Sequence, residues 1–489
     1  MAGGIVSWGA YVPIWRLKRT AIGLALEGPS GRGTRAVASY DEDTTTMAVE
    51  AARVALRQLD LPAPSSLLFS TPSPAYADKT NATAIHAALG LDRACGAYDV
   101  CGASRSSVAA VGLGRRSVGD GACLVTMSDL RTGLAGSADE RDGGDGAVAF
   151  VFANHGAVAE VVAEASTSAE FLDRWRAPGE VESKQWEERF GEQLYVPLGR
   201  DAFADACKEA GIEADQIGHV IVTGLHARAV KAVASRLGVR DDAVVASLVP
   251  VVGNLGAAAS GIALADILDR AEPGALIATL GLADGADATI WRVTDAIVAA
   301  RAARADANVP AVAVQIEAGR DDLSYQRFLT WRGQLRRDPP RRPEPERPGA
   351  PSTRRSDPWK YGFNASRCRA CGFRHLPPTR RCLQCKAIDD MELERLADVE
   401  GTIATYTVDR LAFSMSPPVV GVVVDFDGGG RYRCEMADAD LDTLEIGTRV
   451  RMAFRRMSIT GGIHNYFWKA RPIPASVLHE VKEDTRDGE

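Results

Sequence analysis

Residues 97–107 read AYDVCGASRSS, and residues 108–116 continue as VAAVGLGRR. The stretch begins with a strand-like composition, passes through a run of small residues and ends in a helical pattern. A strand-to-helix turn built from small residues is a common place for a nucleophile in α/β enzymes. Two candidates stand in this turn, Cys101 and Ser104. The stretch therefore predicts an α/β fold and leaves open which side chain, if either, is chemically active.

The alternation of strand and helix patterns extends through the first 295 residues. GIVSWGAYVP (residues 4–13) and GACLVTMSDL (residues 121–130) predict strands. DTTTMAVEAARVALRQLD (residues 43–60) predicts an amphipathic helix whose first aspartate or threonine is its N-cap. Because such alternation is typical of layered α/β folds, we expect residues 1–295 to form one α/β domain.

A weak internal repeat divides this domain into two halves. VAAVGLGRRSVGDGACLVT (residues 108–126) resembles GIALADILDRAEPGALIAT (residues 261–279), and each reads as a helix followed by a strand. Chance similarity in a chain rich in alanine and glycine is the alternative explanation. If the repeat is real, the turn that contains Ser104 corresponds to the turn that contains Asn254, and both face one central cleft.

Composition changes after the α/β segment. RRDPPRRPEPERPGAPSTRRSDP (residues 336–358) is rich in proline and arginine, and proline favours an extended linker over a helix. The segments that follow read as a cysteine cluster and then as β-strands separated by turns. We expect a helical and proline/arginine-rich linker at 296–357, a zinc ribbon at 358–392, a β-rich domain at 393–475 and a polar tail at 476–489.

Four of the nine cysteines form two C-x2-C pairs that lie ten residues apart: Cys368, Cys371, Cys382 and Cys385. Four thiolates in two short turns match the tetrahedral coordination that Zn²⁺ prefers. No open coordination position is evident, so the pattern predicts a structural zinc site. A redox-active dithiol pair is the alternative.

Bulk properties restrict the function. The formal net charge is −7 and the isoelectric point is about 5.7, which argues against a nucleic-acid partner. No apolar run approaches the length of about 18 residues that a membrane span needs. The N-terminal residues lack a basic segment followed by an apolar core, so no secretory signal is expected. These features favour a soluble cytoplasmic protein without a membrane partner.

Two polar residues outside the first turn are candidates for the cleft. His226 follows the apolar run HVIVTGL and precedes a helical pattern, a position at which α/β enzymes often expose side chains to a ligand. Asn254 lies in VVGNLGAAAS, another turn of small residues before a helix. Each has an alternative role, because His226 can be a structural histidine and Asn254 a turn former.

Taken together, these motifs resemble the thiolase superfamily, and within it the 3-hydroxy-3-methylglutaryl-CoA synthases of the archaeal type. The resemblance rests on GIVSWGAYVPIWRL, YDEDTTTMAVEAAR, AYDVCGAS, DGGDGAVAFVF, LHARAVKAVASRLGV and VVGNLGAAASG, in this order. It implies duplicated α-β-α-β-α layers. Residues 322–475 resemble the zinc-ribbon and OB-fold domain that accompanies thiolase-like enzymes acting on acyl-CoA, so a β-barrel OB-fold domain is expected after the ribbon.

The family resemblance also implies a site and a ligand. Its members use a Cys-His-Asn set, and aligned through Tyr98, Asp99 and Val100, the cysteine position is occupied by Ser104. His226 and Asn254 match the other two positions. The family glutamate has no counterpart near Pro72. Coenzyme A thioester as substrate and a homodimer are implied by the resemblance.

Three mechanisms remain open at this point. In the first, a β-hydroxyacyl-CoA is made or cleaved by an aldol or retro-aldol step without an acyl-enzyme, with His226 or another base accepting the hydroxyl proton. In the second, Ser104 is acylated with His226 as base and the enzyme is a Claisen-type acyltransferase. In the third, the chain is a non-catalytic acyl-CoA-binding scaffold.

Overall fold

A computed structural model describes residues 3–29, 31–57, 61–119, 121–340 and 346–474. The predicted polar tail at 476–489 lies outside the described residues. The strands are β1 (Gly4–Tyr11), β2 (Trp15–Lys18), β3 (Thr34–Val37), β4 (Pro64–Thr71), β5 (Gly96–Cys101), β6 (Ala122–Leu130), β7 (Asp145–Ala153), β8 (Ala159–Ser168), β9 (Arg174–Trp175), β10 (Lys184–Gln185), β11 (His219–Gly224), β12 (Leu276–Leu282), β13 (Gly285–Val293), β14 (Asn364–Cys368), β15 (Arg374–His375), β16 (Met391–Arg395), β17 (Gly401–Asp409), β18 (Val419–Phe426), β19 (Arg431–Glu435), β20 (Arg449–Thr460) and β21 (Ile463–Pro472).

Helices connect most of these strands. They are α1 (Arg19–Leu26), α2 (Thr44–Leu56), α3 (Ala82–Leu89), α4 (Ser106–Arg116), α5 (Ala138–Asp142), α6 (Glu188–Ala210), α7 (Ala227–Ala234), α8 (Val249–Val252), α9 (Ala259–Leu268), α10 (Ala296–Asp306), α11 (Val312–Glu317), α12 (Tyr325–Trp331), α13 (Ala350–Arg355) and α14 (Asp357–Lys360). Within the described ranges, no helix combines the length and the apolar composition that a membrane-spanning segment requires.

A nine-stranded mixed sheet forms the centre of the N-terminal domain, with the order β11-β12-β13-β8-β1-β7-β6-β4-β5. β4 runs parallel to β5 and β6, and β11 runs parallel to β12. In one half α4 leads into β6, which pairs antiparallel with β7; in the other, α9 leads into β12, which pairs antiparallel with β13. This arrangement agrees with the predicted repeat and confirms the α/β fold class.

Local sequence explains why α2 packs so closely on the sheet. Asp43 accepts the N–H of Thr46 and forms a capping box with its hydroxyl, so the helix begins where an N-cap residue stands. Its inner face is rich in alanine. At Gly9 of β1 a Cβ would lie 2.4 Å from the carbonyl oxygen of Ala51, so only glycine allows this approach.

The C-terminal part contains a three-stranded sheet, β15-β14-β16, followed by a five-stranded sheet, β19-β18-β17-β20-β21. β20 lies against α2, and its Arg455 forms ion pairs with Asp41 and Glu42 of the N-terminal domain. α10 also packs on the N-terminal domain, because Arg304 stacks 4.2 Å from the ring centre of Trp8. The two domains therefore share a buried, charged interface.

Candidate active site

Ser104 lies in the turn between β5 and α4, as the sequence predicts. Gly102 opens the turn with a φ of 136°, which residues with a side chain rarely adopt. Its N–H donates to the carbonyl of Thr71 at the end of β4 (3.2 Å), so the loop after β4 and the turn after β5 leave the sheet side by side. Ser104 is half-buried, and its hydroxyl has no hydrogen-bond partner among the described residues.

The neighbouring thiol of Cys101 is poorly suited to act as a nucleophile. Cys101 is the last residue of β5 and is exposed. Desolvation by its surroundings and the negative charge of Asp99 raise the pKa of Cys101 to about 11. The reactive form of cysteine is the thiolate, which such a pKa makes scarce at neutral pH.

Arg105 fastens the Ser104 turn to the second half of the domain. Its guanidinium donates to both carboxylate oxygens of Asp287 in β13, at 2.8 and 3.1 Å. It also donates to the carbonyls of Asp284 (2.7 Å) and Thr167 (2.9 Å). A bidentate pair of this kind fixes direction as well as distance. The turn is therefore held at the point where the two halves meet.

His226 is buried at the end of β11 and is the N-cap of α7. Its Nδ1 accepts the N–H of Ala229 (3.1 Å), and its Nε2 lies 2.7 Å from the carbonyl oxygen of Glu188. Because an amide can only donate, Nδ1 is the acceptor and the ring hydrogen is on Nε2. His226 is thus arranged as an N–H donor, and in this arrangement it has no free nitrogen that could act as a base.

Asn254 is held beside His226 by the backbone. Its Nδ2 donates to the carbonyl of Gly224 (2.7 Å), two residues before His226, and its Oδ1 accepts the N–H of Gly256 (3.0 Å). Since an amide nitrogen carries two hydrogens, one N–H of Asn254 remains for a ligand. The structure therefore brings two N–H donors together.

A cavity of about 1130 Å³ reaches these two donors. His226 and Asn254 line it together with Gly224 and the exposed Lys231 of α7, whereas Ser104 is not among its lining residues. Ser104 and His226 make no direct hydrogen bond. The two residues are connected only indirectly. Arg105, next to Ser104, donates to the carbonyl of Asp284, and the N–H of Asp284 donates to the hydroxyl of Tyr195 (3.3 Å). The ring centre of Tyr195 is 6.1 Å from that of His226.

Asp173 is a buried carboxylate beside His226 that no pattern in the sequence distinguishes. It is 6% exposed, and its Oδ1 has no hydrogen-bond partner. A Cβ at Gly191 would lie 2.5 Å from this oxygen and 3.1 Å from Nε2 of His226, so Gly191 packs directly against both side chains. Burial raises the pKa of Asp173, although the positive charge of Arg174 acts against the shift.

The loop that follows β4 begins at Pro72 and contacts both domains. Arg176 donates to the carbonyl of Pro72 (2.6 Å) and the hydroxyl of Ser73 (3.2 Å). Further along, the hydroxyl of Tyr76 accepts the backbone N–H of His464 (2.7 Å), which belongs to the C-terminal domain. This loop is therefore fixed from two sides.

The four cysteines of the predicted ribbon converge. Their sulfur atoms all lie within 4.8 Å of one another. Cys368 Sγ is 3.5 Å from Cys385 Sγ, and Cys371 Sγ is 3.6 Å from Cys382 Sγ. The donor set and its geometry fit a tetrahedral metal ion such as Zn²⁺.

Two family models match the chain. The model of the C-terminal domain of 3-oxoacyl-(acyl-carrier-protein) synthase III matches residues 207–293. The model of the ChsH2 C-terminal OB-fold domain matches residues 394–455. The second match confirms the expected OB-fold domain after the cysteine cluster.

Several curated relatives are hydroxymethylglutaryl-CoA synthases. The protein from Aeropyrum pernix is 32% identical over 316 residues, which cover 61% of this chain and 87% of that protein. The protein from Pyrobaculum neutrophilum is 29% identical over 354 residues, covering 68% of this chain and 98% of that protein. The protein from Methanothermobacter thermautotrophicus is 28% identical over 354 residues, covering 68% and 99% respectively.

Solved structures show the same fold. MvaS in complex with 3-hydroxy-3-methylglutaryl coenzyme A superposes with a TM-score of 0.58 at 20% identity, covering 70% of this chain and 94% of that one. An HMG-CoA synthase complexed with CoA gives 0.57 at 16% identity, covering 68% and 90%. 3-Oxoacyl-(acyl-carrier-protein) synthase III from Aquifex aeolicus gives 0.52 at 19% identity, covering 59% and 99%.

Proposed function

Through its N-terminal domain the chain belongs to the hydroxymethylglutaryl-CoA synthase family, and from this premise we propose that it makes or breaks a carbon–carbon bond of an acyl-CoA thioester. The reaction that we favour is aldol addition to, or retro-aldol cleavage of, a β-hydroxyacyl-CoA, without an acyl-enzyme. The substrate class is taken from the CoA thioesters that the names of the relatives mention.

One observation carries the choice of mechanism. The site combines two N–H donors, His226 and Asn254, with a hydroxyl at Ser104 that has no base among its hydrogen-bond partners. A serine needs a base within hydrogen-bond distance to become a nucleophile. An enolate needs only donors aimed at its oxygen, and such donors are often the largest contribution to catalysis. The arrangement therefore favours an enolate mechanism.

In this mechanism the thioester oxygen takes the place that the Glu188 carbonyl occupies on His226. The Nε2–H of His226 and the free N–H of Asn254 then donate to the oxygen as negative charge develops on it. The first turn of α6 must move away from His226 for this to happen, because Glu188 is its first residue.

We place coenzyme A in the large cavity, with its phosphates at the outer end. Lys231 lines the rim, is exposed and has no ion-pair partner among the described residues. A free ammonium group at a cavity mouth suits the phosphates of the coenzyme. Arg228, one turn earlier on the same helix, is paired with Glu188 at 3.3 Å. We therefore assign the phosphate contact to Lys231.

The four cysteines would hold a zinc ion in a structural role. Their thiolates supply all four ligands of a tetrahedral site, which leaves no position for a substrate. Zinc would thus stabilise the ribbon that connects the linker to the OB-fold domain, and no step of the reaction involves it.

A homodimer is the assembly that we propose. β5 stands at one end of the nine-stranded sheet, so one of its edges has no partner strand in the part of the chain that the structure describes. The side chain of Tyr98 on this strand is 58% exposed. Unpaired strand edges readily accept another strand, and a second copy pairing through β5 would extend the sheet. Such a dimer would also bury the surface beside the Ser104 turn.

Acyl transfer through Ser104 is the second candidate. Ser104 occupies the position at which the resemblance places the family nucleophile, and its hydroxyl has no hydrogen-bond partner among the described residues. The turn that contains Ser104 leads directly into α4. In that case a base must reach Ser104 by a rearrangement, because His226 Nδ1 accepts an amide N–H and Nε2 bears the hydrogen. The third possibility, a non-catalytic acyl-CoA-binding scaffold, has no specific observation in its favour.

Mass spectrometry separates these functions. Purified protein is mixed with a panel of acyl-CoA and β-hydroxyacyl-CoA thioesters, and intact mass, peptide maps and released thioesters are measured. We expect cleavage products without an adduct, and activity that survives Ser104→Ala. An adduct on Ser104 that this variant loses would establish acyl transfer instead. Binding without adduct or product across the panel would support the scaffold.

A further inference from the structure

We propose that Arg131 binds a carboxylate at the far end of the acyl group, and that the carbonyl compound added or released by this enzyme is therefore an oxo acid. The inference rests on the proposed aldol function, because it names the partner of that reaction. Arg131 lines the same cavity as the two N–H donors His226 and Asn254.

The position of Arg131 is fixed by the backbone around it. Arg131 directly follows β6 and is 7% exposed. Its N–H donates to Oδ1 of Asp145 (2.9 Å), and its carbonyl accepts a hydrogen bond from Arg35 (2.8 Å). A Cβ at Gly143 would lie 2.8 Å from the Cβ of Arg131, and a Cβ at Gly256 would lie 3.1 Å from its Cδ. The aliphatic part of the side chain is thus held between two glycines.

The same contacts place Arg131 beside the turn that carries Asn254. Gly256 follows Asn254 by two residues. The N–H of Asn254 donates to the carbonyl of Asp142 (2.7 Å), and its carbonyl accepts the N–H of Gly144 (2.9 Å). The side chain of Arg131 therefore packs beside the residue that would hold the thioester oxygen.

The guanidinium of Arg131 has unused hydrogen-bonding capacity. Its side chain forms no hydrogen bond with any residue that the structure describes, and its ion pairs with Asp129 (3.7 Å) and Asp139 (3.9 Å) are longer than hydrogen bonds. Both acids have other partners: Asp129 accepts the N–H of Ala257 (3.0 Å), and both oxygens of Asp139 accept from Arg174 (2.6 Å each). A buried donor without an acceptor is costly, so a ligand that supplies one is favoured.

Among the described residues that line the cavity, four are basic, and they differ in how they are paired. Arg141 and Arg174 each donate to an aspartate at hydrogen-bond distance. Lys231 is assigned above to the phosphates of the coenzyme. Arg131 is therefore the cation that remains for the acyl group, and the fork of its guanidinium matches the two oxygens of a carboxylate.

The acid closest to this guanidinium is Asp129, which is completely buried. Burial raises the pKa of Asp129, although the charge of Arg131 acts against the shift. Asp129 therefore repels a ligand carboxylate less than an ordinary aspartate would.

The place of the carboxylate in the acyl group identifies the reaction partner. In the proposed mechanism the thioester oxygen meets His226 and Asn254, so the part of the substrate that reaches Arg131 is the far end of the acyl chain. In a retro-aldol cleavage, every atom beyond Cβ leaves with the carbonyl product. A carboxylate at the far end consequently belongs to that product, which is an oxo acid.

The reaction balances without a further reactant. In the cleavage direction the β-hydroxyl gives up its proton, the Cα–Cβ bond breaks, and Cβ becomes the carbonyl carbon of the oxo acid. The electron pair of the bond forms the thioester enolate, and Cα takes up one proton to give the shorter acyl-CoA. The carboxylate bound by Arg131 is unchanged throughout.

Matched thioesters test the carboxylate site without turnover. The affinities of the full-length protein for succinyl-, glutaryl- and adipyl-CoA are compared by calorimetry with those for butyryl-, pentanoyl- and hexanoyl-CoA, which have the same chain lengths. We expect the wild type to bind at least one carboxylated thioester about 10-fold more tightly than its alkyl counterpart, as charged hydrogen bonds allow. Arg131→Gln should abolish this preference and change the affinity for the alkyl thioester only a few-fold.

Two further variants separate recognition from structural support. Arg200→Gln removes an exposed arginine of α6 that does not line the cavity, and it should keep the wild-type preference. If Arg131 only neutralised its acidic neighbours, Arg131→Gln would weaken both members of a pair equally, which would overturn the proposal. Arg131→Lys keeps the charge but not the fork, so its preference should fall several-fold. This variant decides the question if the glutamine variant does not fold, and an undiminished preference would contradict the site.

Turnover tests the oxo acid. The protein is incubated with acetyl-CoA in D2O together with pyruvate, acetoacetate or 2-oxoglutarate, or with acetone or butanone as carbonyl compounds without a carboxylate. We expect β-hydroxyacyl-CoA products, measured by mass spectrometry, from an oxo acid and not from the neutral ketones. Their formation should be at least about 10-fold slower in Arg131→Gln.

The results distinguish failure of the site from failure of the proposed function. Equal binding of the matched thioesters by the wild type, or a preference that survives Arg131→Gln, would overturn the carboxylate site alone. Products from the neutral ketones at the same rate would overturn the assignment of an oxo acid. If the wild type prefers the carboxylated thioesters but forms no product and exchanges no α-hydrogen of acetyl-CoA, the aldol function is overturned and the carboxylate site stands.

Discussion

At the scale of single residues, the exchange of a thiol for a hydroxyl at the nucleophile position changes what the neighbouring groups must do. A cysteine near a histidine can attack as a thiolate, whereas Ser104 must lose its proton to a base during the attack. The hydrogen bonds of His226 make it a donor, the same role that Asn254 has. The site is therefore better equipped to hold an enolate than to activate a serine.

If His226 and Asn254 donate to the developing enolate, their removal should lower kcat much more than it weakens the binding of coenzyme A. His226→Ala and Asn254→Ala should each lower kcat by about 100-fold to 1,000-fold, because each removes a donor to the developing charge. The dissociation constant of coenzyme A should change only a few-fold, since the rest of the cavity is intact. His86→Ala, a half-buried histidine on α3 that does not line the cavity, is the control and should leave kcat unchanged. Loss of coenzyme A binding with unchanged kcat would contradict the donor role.

Prediction from sequence succeeded for positions that a local pattern defines. Small residues before a helix place Ser104 in its turn, and an apolar run before a helix places His226 at the end of β11; both placements are observed. Their chemical roles stay predictions. The environment of Asp173 could not be predicted, because it results from the packing of α6 on the hairpin β9–β10 that immediately precedes it, and a single aspartate carries no such information.

At the scale of elements, the start of α6 controls access to His226. The carbonyl of its first residue, Glu188, occupies Nε2, and Gly191, one turn later, faces Asp173 and His226. The hairpin β9–β10 holds this turn, because Trp186 donates to the Asp173 carbonyl. Strands of two residues leave no periodic signal, so the sequence alone did not reveal the hairpin. Longer elements such as α2, predicted at residues 43–60 and observed at Thr44–Leu56, are defined by their periodicity.

Gly191 offers a test of this packing. In a helix, alanine is normally favoured over glycine by about 0.5–1 kcal/mol. Here the added Cβ would lie 2.5 Å from Oδ1 of Asp173 and 3.0 Å from Cδ2 of His226, so Gly191→Ala must displace one of them. We expect kcat to fall at least about 10-fold, on the scale of the losses caused by small displacements of reacting groups.

Gly218 provides a control that separates this steric effect from the general effect of replacing a glycine by alanine. A Cβ at Gly218 would meet nothing closer than the carbonyl oxygen of Leu276, at 3.6 Å, which is ordinary contact. Gly218→Ala should therefore keep kcat and KM near the wild-type values in the same assay. Equal activity of both variants would show that the close packing of Gly191 on Asp173 and His226 has no role in turnover.

At the scale of the whole molecule, the OB-fold domain is joined to the active-site edge of the N-terminal domain. Asp43, the N-cap of α2, accepts hydrogen bonds from Tyr466 (2.8 Å), and its Oδ2 is 3.2 Å from Nδ1 of His464. The same histidine donates its backbone N–H to Tyr76, on the loop beside the Ser104 turn. The cysteine spacing predicted a metal-binding ribbon, but no local pattern could reveal this contact, because it joins residues 388 to 423 positions apart.

The contact between the OB-fold domain and the N-terminal domain, here called the joint, contains buried charges. It stabilises the protein only while every charged partner is present. Arg455 in β20 is fully buried and pairs with Asp41 (3.5 Å), Glu42 and Asp438 (2.7 Å), whose side chains are 2% exposed. Removing one partner of a buried ion pair leaves uncompensated charge and typically costs about 3–5 kcal/mol. Exposed pairs contribute about 0–1 kcal/mol, because water and salt already screen them. The two kinds of pair should therefore respond very differently to the same substitution.

Arg455→Leu should consequently lower the free energy of unfolding by about 3–5 kcal/mol, measured by urea denaturation of the full chain. Arg431→Leu removes an arginine from the same five-stranded sheet, but its pair with Asp425 is 65% and 45% exposed, so the loss should stay below about 1 kcal/mol. If the joint also fixes the loop beside Ser104, Arg455→Leu will reduce kcat at temperatures at which the protein is still folded, and Arg431→Leu will not. Similar losses of stability in the two variants would contradict a joint held by buried charge, and the OB-fold domain would then be attached mainly by apolar packing.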